Sequence, residues 1–261
     1  MTFFEKIRLG FKSFSKAHQF IKQHRLWHFV YIPGIINAIL FFLFINWVTS
    51  SITEWIDGVF SFDCDDGGVL GWFCSIFSFL TGFLEYFIRW MLYAALIGVY
   101  LFIYKSIILL LYSPVLAYLI EVVEKKHKGI DTPFKLEQFL KDTVRGIVLA
   151  TRGILLEGLI IIIIALFILA FVPIINIIQP ILMWLVSSYF LGVSMLDYAL
   201  ERKGLNVKES IIYSKQNKSL ASSIGSVFQL VFLIPAIGWM VAPTYSAVAA
   251  YFAVDELDKG K

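Results

Sequence analysis

Charge is scarce and unevenly spread in this chain. Asp, Glu, Lys and Arg make up 16% of 261 residues, and between Gly153 and Leu196 the only charged side chain is Glu157. A soluble protein with such a run would expose more apolar surface than a monomer tolerates, which excludes a two-domain soluble enzyme. Repeated ten-residue segments of alternating polarity are also missing, so a transmembrane β-barrel is excluded. No HExxH, nucleophile elbow, phosphate loop or dinucleotide fingerprint occurs, so no cofactor is expected and nothing points to an enzyme. The net charge of +3 comes from loop lysines and leaves no nucleic-acid footprint.

What is present is apolar: 59% of the residues are hydrophobic and 17% aromatic. This composition predicts an all-α integral membrane protein. The Gly153 to Leu196 stretch sets its architecture. A span needs roughly 20 residues at about 1.5 Å each. Gly153 to Val172 satisfies this, whereas Ile181 to Leu196 reaches only about 24 Å. Pro173 and Pro180 interrupt the run, with Asn176 and Gln179 in the interruption. The pattern predicts a helical hairpin over 134–203 that penetrates partway and returns to its own side. Lys141, Arg145 and Arg152 before it, and Arg202, Lys203 and Lys208 after it, agree.

The remaining segments follow from charge and length. Residues 1–28 carry six Lys/Arg against Glu5 alone, with Phe4, Ile7, Phe11, Phe14 and Ile21 near helical spacing. They predict an amphipathic interfacial helix that is retained rather than cleaved. Residues 29–49 form the first span. Residues 50–71 hold Glu54, Asp57, Asp63, Asp65 and Asp66 and no Lys or Arg, as positive-inside sorting leaves for an external loop. Residues 72–128 form a second span with extensions, ending at Gly129. A second proline-broken hairpin covers 219–254, where IPAIGWMVAP matches VPIINIIQP in its opening and closing prolines. Paired, interrupted hydrophobic segments of this kind point to a transport site; duplicated packing without a ligand is the alternative.

Several side chains are singled out. Glu85, Arg89 and Glu157 sit within apolar runs, where an ionisable group is costly unless paired or facing water. With Asn176 and Gln179 they are candidates for a polar pathway; Lys105 fits a buried ion pair equally well. Cys64 and Cys74 could close a disulfide outside the cytoplasm, with two independent thiols as the alternative. The three aspartates around Cys64 lack the glutamate a calcium loop requires. His24 and His28 are four apart, but no third ligand is near, so no metal site is expected.

In the order and spacing of YSPVLAYLIEVVEKKHKG (112–129), FVPIINIIQP, DYALERKG ending at Gly204, and IPAIGWMVAPTYSAVAA, the chain resembles the CysZ sulfate-permease family of the etoposide-induced protein 2.4 group. The resemblance implies two long spanning helices, two hairpins that enter the bilayer partway, and an N-terminal interfacial helix. It further implies sulfate uptake and an anion loop before the first span, in which a glycine, a leucine and two arginines hold the dianion. The corresponding stretch here is QHRLWHF, with Arg25 at the glycine position and Trp27 and His28 at the arginines. Arg25, Leu26, Trp27 and His28 are the expected anion-binding residues. The expected partners are sulfate or a similar anion, membrane lipids and further copies of the chain, because two spans cannot enclose a pore. The expected location is an inner membrane, with several passes and both termini cytoplasmic. A non-transporting scaffold or lipid-interacting protein of the same fold is the alternative.

Overall fold

A computed structural model of the protein describes residues 1–60, 86–87, 90–91, 112–129, 136–171, 178–234 and 237–259. Glu85, Arg89, Lys105, Asn176 and both cysteines lie outside the described residues, as do most of the expected second span and its external loop. Every regular element among the described residues is an α-helix: α1 (Phe3–Gln23), α2 (His28–Phe60), α3 (112–128), α4 (Leu136–Phe171), α5 (Ile178–Glu201), α6 (Val207–Gln216), α7 (Lys218–Phe232) and α8 (Ile237–Lys259). Among the described residues, four stretches are long and apolar enough to cross a bilayer: His28–Trp47, Thr143–Ile163, Pro180–Glu201 and Ile237–Lys259. The protein is thus an α-helical membrane protein. The chain divides into two compact units, one of residues 1–37 and 106–261 and the other of residues 38–105.

In the smaller unit, α2 meets lipid-compatible conditions by satisfying its own polar side chains. Asn46 Nδ2 donates to the Phe42 carbonyl, and Thr49 Oγ1 to that of Ile45, both at 2.8 Å. Neither group then needs water.

The larger unit is built on α5, α7 and α8. Gly192 and Gly225 let α5 and α7 approach backbone to backbone: a Cβ at Gly192 would overlap the Ala221 carbonyl, and one at Gly225 that of Ser188. Between the helices, Ser226 Oγ donates to Ser188 Oγ at 3.1 Å. The α7–α8 turn depends on Gly238, whose Cβ would strike the Val231 carbonyl, and Trp239 Nε1 donates to the Phe232 carbonyl left over at the end of α7. Pro243 lies inside α8 and does not end it. The sequence reading took Pro235 and Pro243 as breaks; Pro235 lies outside the described residues, and α8 absorbs Pro243.

Two further readings change. The second arm of the first hairpin is not cut off at Leu196, because α5 runs on to Glu201 and its candidate span is 22 residues, about 33 Å long. Asp197 does not end it because its charge is met by Arg145. The first helix is also more than an interfacial strip. Its face of Leu9, Gly10, Ser13, Ala17, Phe20 and Ile21 is buried against α7 and α8. Phe4 and Phe11, 78% and 48% exposed, lie on a different face. Thr2 and Glu5 close a capping box at its start.

Candidate anion site and the polar end of the bundle

The turn between α1 and α2 is set by a Schellman motif. The Leu26 N–H donates to the Ile21 carbonyl at 3.0 Å and the Arg25 N–H to that of Lys22 at 3.4 Å. Arg25 therefore occupies the left-handed position, at φ 53°. Ile21 and Leu26, 0% and 2% exposed, stand at the two positions whose hydrophobic contact usually accompanies this motif. This explains why a glycine would suit the position of Arg25.

Leu26 and Phe29 are buried, and the Phe29 carbonyl accepts from Thr244 Oγ1 of α8 at 2.8 Å. Leu26 thus anchors the turn; its side chain has no access to an anion, and its N–H is already bonded. Arg25 and His28 are exposed, and Trp27 is half-buried between the stacked ring of Tyr31 at 5.9 Å and the edge of His18 at 6.4 Å. Among the described residues, no chain acceptor reaches the N–H groups of Trp27 and His28. The turn therefore offers two free donors at the start of α2, beside one permanent cation and one imidazole.

Two partners of this turn were missed from the sequence. Tyr245 of α8 lies with its hydroxyl 2.9 Å from His18 Nδ1, and Thr244 holds the Phe29 carbonyl. Nothing in the sequence links positions more than 200 residues apart, and TYS within the C-terminal motif was the only mark.

Of the proposed pathway residues, Glu157 is 4% exposed and accepts a hydrogen bond from Ser187 Oγ of α5. It faces a neighbouring helix rather than lipid, which answers the cost of a carboxyl in an apolar span. Gln179 lies in the first turn of α5. The other three members of the pathway set, Glu85, Arg89 and Asn176, lie outside the described residues.

The larger polar constellation lies at one end of the bundle. Arg145 of α4 donates Nη2 to Asp197 Oδ1 at 2.7 Å and to Ser210 Oγ at 2.9 Å, and Nη1 to the Leu205 carbonyl. One guanidinium thus ties together α4, α5, the 202–206 turn and α6. Arg202 Nε donates to Glu124 at 2.6 Å, and Lys203 pairs with Asp258. Tyr213 of α6 donates to the same Asp258 at 3.4 Å. Lys6 Nζ reaches Asn217 Oδ1 at 2.7 Å, and Lys16 pairs with Glu256. Burial alone would raise the Glu124 carboxyl, but the hydrogen bonds and charges of Lys128 and Arg202 outweigh it and hold the group below the usual carboxylate range. Burial pushes the Tyr213 hydroxyl up, and Asp258 adds to that.

Residues 13–243 match the family described as Sulfate transporter CysZ/Etoposide-induced protein 2.4. The chain belongs to this family. Relatives named Sulfate transporter CysZ include that of Pseudomonas fluorescens Pf0-1, 26% identical over 233 residues, covering 87% of this chain and 86% of the relative. That of Pseudomonas syringae pv. tomato is 25% identical over 233 residues, covering 87% and 85%. The family match begins inside α1 and ends at Pro243, so it takes in the Arg25 turn, the Arg145 constellation and the Glu157 contact.

Proposed function

We propose that the protein is an inner-membrane permease or channel for sulfate or a related oxyanion. The carrying observation is the family match over 13–243, with relatives named as sulfate transporters along 87% of the chain. In this reading both hairpins, α4 with α5 and α7 with α8, enter the membrane from one side and return to it. The polar end supports this, since Arg145 near the start of α4 holds Asp197 near the end of α5. The protein works as an oligomer, because few full spans per chain cannot surround a pore. Glu85, Arg89, Glu157, Asn176 and Gln179 contribute to the route. The anion is met first at the α1–α2 turn by Arg25, the Trp27 and His28 N–H groups and the His28 ring, with Leu26 as the buried pin. Compared with a loop carrying two arginines, this is a weak site.

The test is sulfate flux into proteoliposomes against protein-free vesicles. Uptake that saturates, and that falls in Arg25→Ala, supports the reading. No flux above the lipid background would favour the non-transporting scaffold instead.

A further inference from the structure

A cavity of about 440 Å³ opens between α1, the last turn of α3 and the C-terminal half of α8. Its lining contains no residue of the 24–28 turn, and its size is that of a small-molecule site. Three rings form its floor. Phe252 meets Phe20 and His127 edge to face, each at 5.2 Å, and Phe20 meets His127 at 6.3 Å. His127 Nδ1 lies 3.2 Å from the Tyr251 hydroxyl, which fixes the imidazole. An apolar body laid on this floor gains buried area and ring contacts.

The rim is charged but balanced. Lys16 of α1 pairs with Glu256 of α8, and Lys259 pairs with Asp255 at 2.7 Å one turn earlier on the same helix. The first pair joins two helices, whereas the second is local, and its lysine is 68% exposed. Such a local exposed pair adds little to stability, so exchanging it for a ligand costs little. A purely anionic ligand meets only Lys259 and a purely cationic one only Asp255, so each makes one charged contact where two are offered. A molecule carrying both charges exchanges the pair and leaves neither group alone.

We propose that this cavity binds a small zwitterion with an apolar part. The ligand's ammonium meets Asp255, its carboxylate or phosphate meets Lys259, and Lys16–Glu256 stays closed as the bridge between the helices. A free α-amino acid and a phosphoethanolamine headgroup share this chemistry.

Calorimetry on the full-length protein in detergent tests it with phenylalanine and dihexanoyl phosphatidylethanolamine as probes. N-acetylphenylalanine supplies the anion alone and phenylalaninamide the cation alone. Phenylalanine or dihexanoyl phosphatidylethanolamine is expected to bind, and whichever does so identifies the source. Both half-charged compounds should bind at least tenfold more weakly than the bound zwitterion. Asp255→Asn and Lys259→Gln should each reduce its affinity about tenfold while leaving the thermal midpoint of the ligand-free protein in place. Binding of neither zwitterion, equal binding of a half-charged compound, or unchanged affinity in both variants would overturn the proposal.

Discussion

Arg25 holds a backbone conformation that costs an L-residue about 1 kcal/mol relative to glycine. Its two roles pull apart on substitution. Arg25→Gly should remove the strain and raise the thermal midpoint in detergent by about 2–4 °C for a unit of this size. The same change removes the one permanent cation of the turn and should abolish sulfate binding. Arg25→Ala loses the cation but keeps a Cβ in the left-handed region, so binding falls with no gain in stability. A lower midpoint for Arg25→Gly would show that the side chain, rather than the buried Ile21 and Leu26, holds the turn.

Glu124 gives a pH dependence whose sign follows from its surroundings. Its carboxyl is held below the usual range, so the folded state binds fewer protons than the unfolded one near the ordinary carboxylate pKa of about 4.3. The stabilisation from Arg202 and Lys128 is complete above that value and disappears as pH falls through the lower folded pKa. Thermal unfolding at neutral pH and at pH values near and below about 4 should therefore show a loss of midpoint that is smaller in Glu124→Gln. Equal losses in both proteins would remove Glu124 from the acid response.

Among the elements, the α5–α7 contact is the least tolerant. At Gly192 and Gly225 the obstructing atoms are carbonyls of the facing backbone, which cannot swing aside as a side chain can. Alanine at either position should cost about 1–3 kcal/mol or more and reduce the yield of monodisperse protein. Gly158→Ala, where nothing lies within 4 Å of the added Cβ, should leave the midpoint unchanged or slightly raised, as alanine is the better helix former. Midpoints from tryptophan fluorescence compare the three. The same elements show what sequence could and could not supply. The helical membrane class, the family and the stop at Gly129, whose φ is 66°, could be read from apolar run length, motif order and glycine chemistry. The reach of α5 could not, because Asp197 reads as a polar end until Arg145, 52 positions away, is seen to neutralise it. Pro243 misled for a related reason: proline marks a break only where neighbouring helices do not enclose the segment, and α8 is largely buried at that point. At the candidate site, the sequence offered Arg25, Leu26, Trp27 and His28 as the anion-binding residues. It gave no hint that Leu26 is spent on the core or that Thr244 and Tyr245 support the turn.

For the whole molecule, the polar end fixes a relation between distant parts of the chain. Lys6 reaches Asn217, Lys16 reaches Glu256, and Lys203 and Tyr213 both reach Asp258. The N-terminal helix, the 202–217 region and the last turn of α8 must therefore share one side of the membrane, whichever side that is. Basic residues concentrate there, and on the positive-inside rule we propose that this side is the cytoplasmic one. In a protein with Cys64 and Cys74 replaced by serine, single cysteines at Lys12, Lys215 and Lys259 should resist an impermeant maleimide applied to intact cells. All three should react once the membrane is opened. Labelling of all three from outside would invert the orientation and leave the shared side intact. Labelling of only one or two would contradict the hydrogen bonds that join them, and with them the return of both hairpins to a common face.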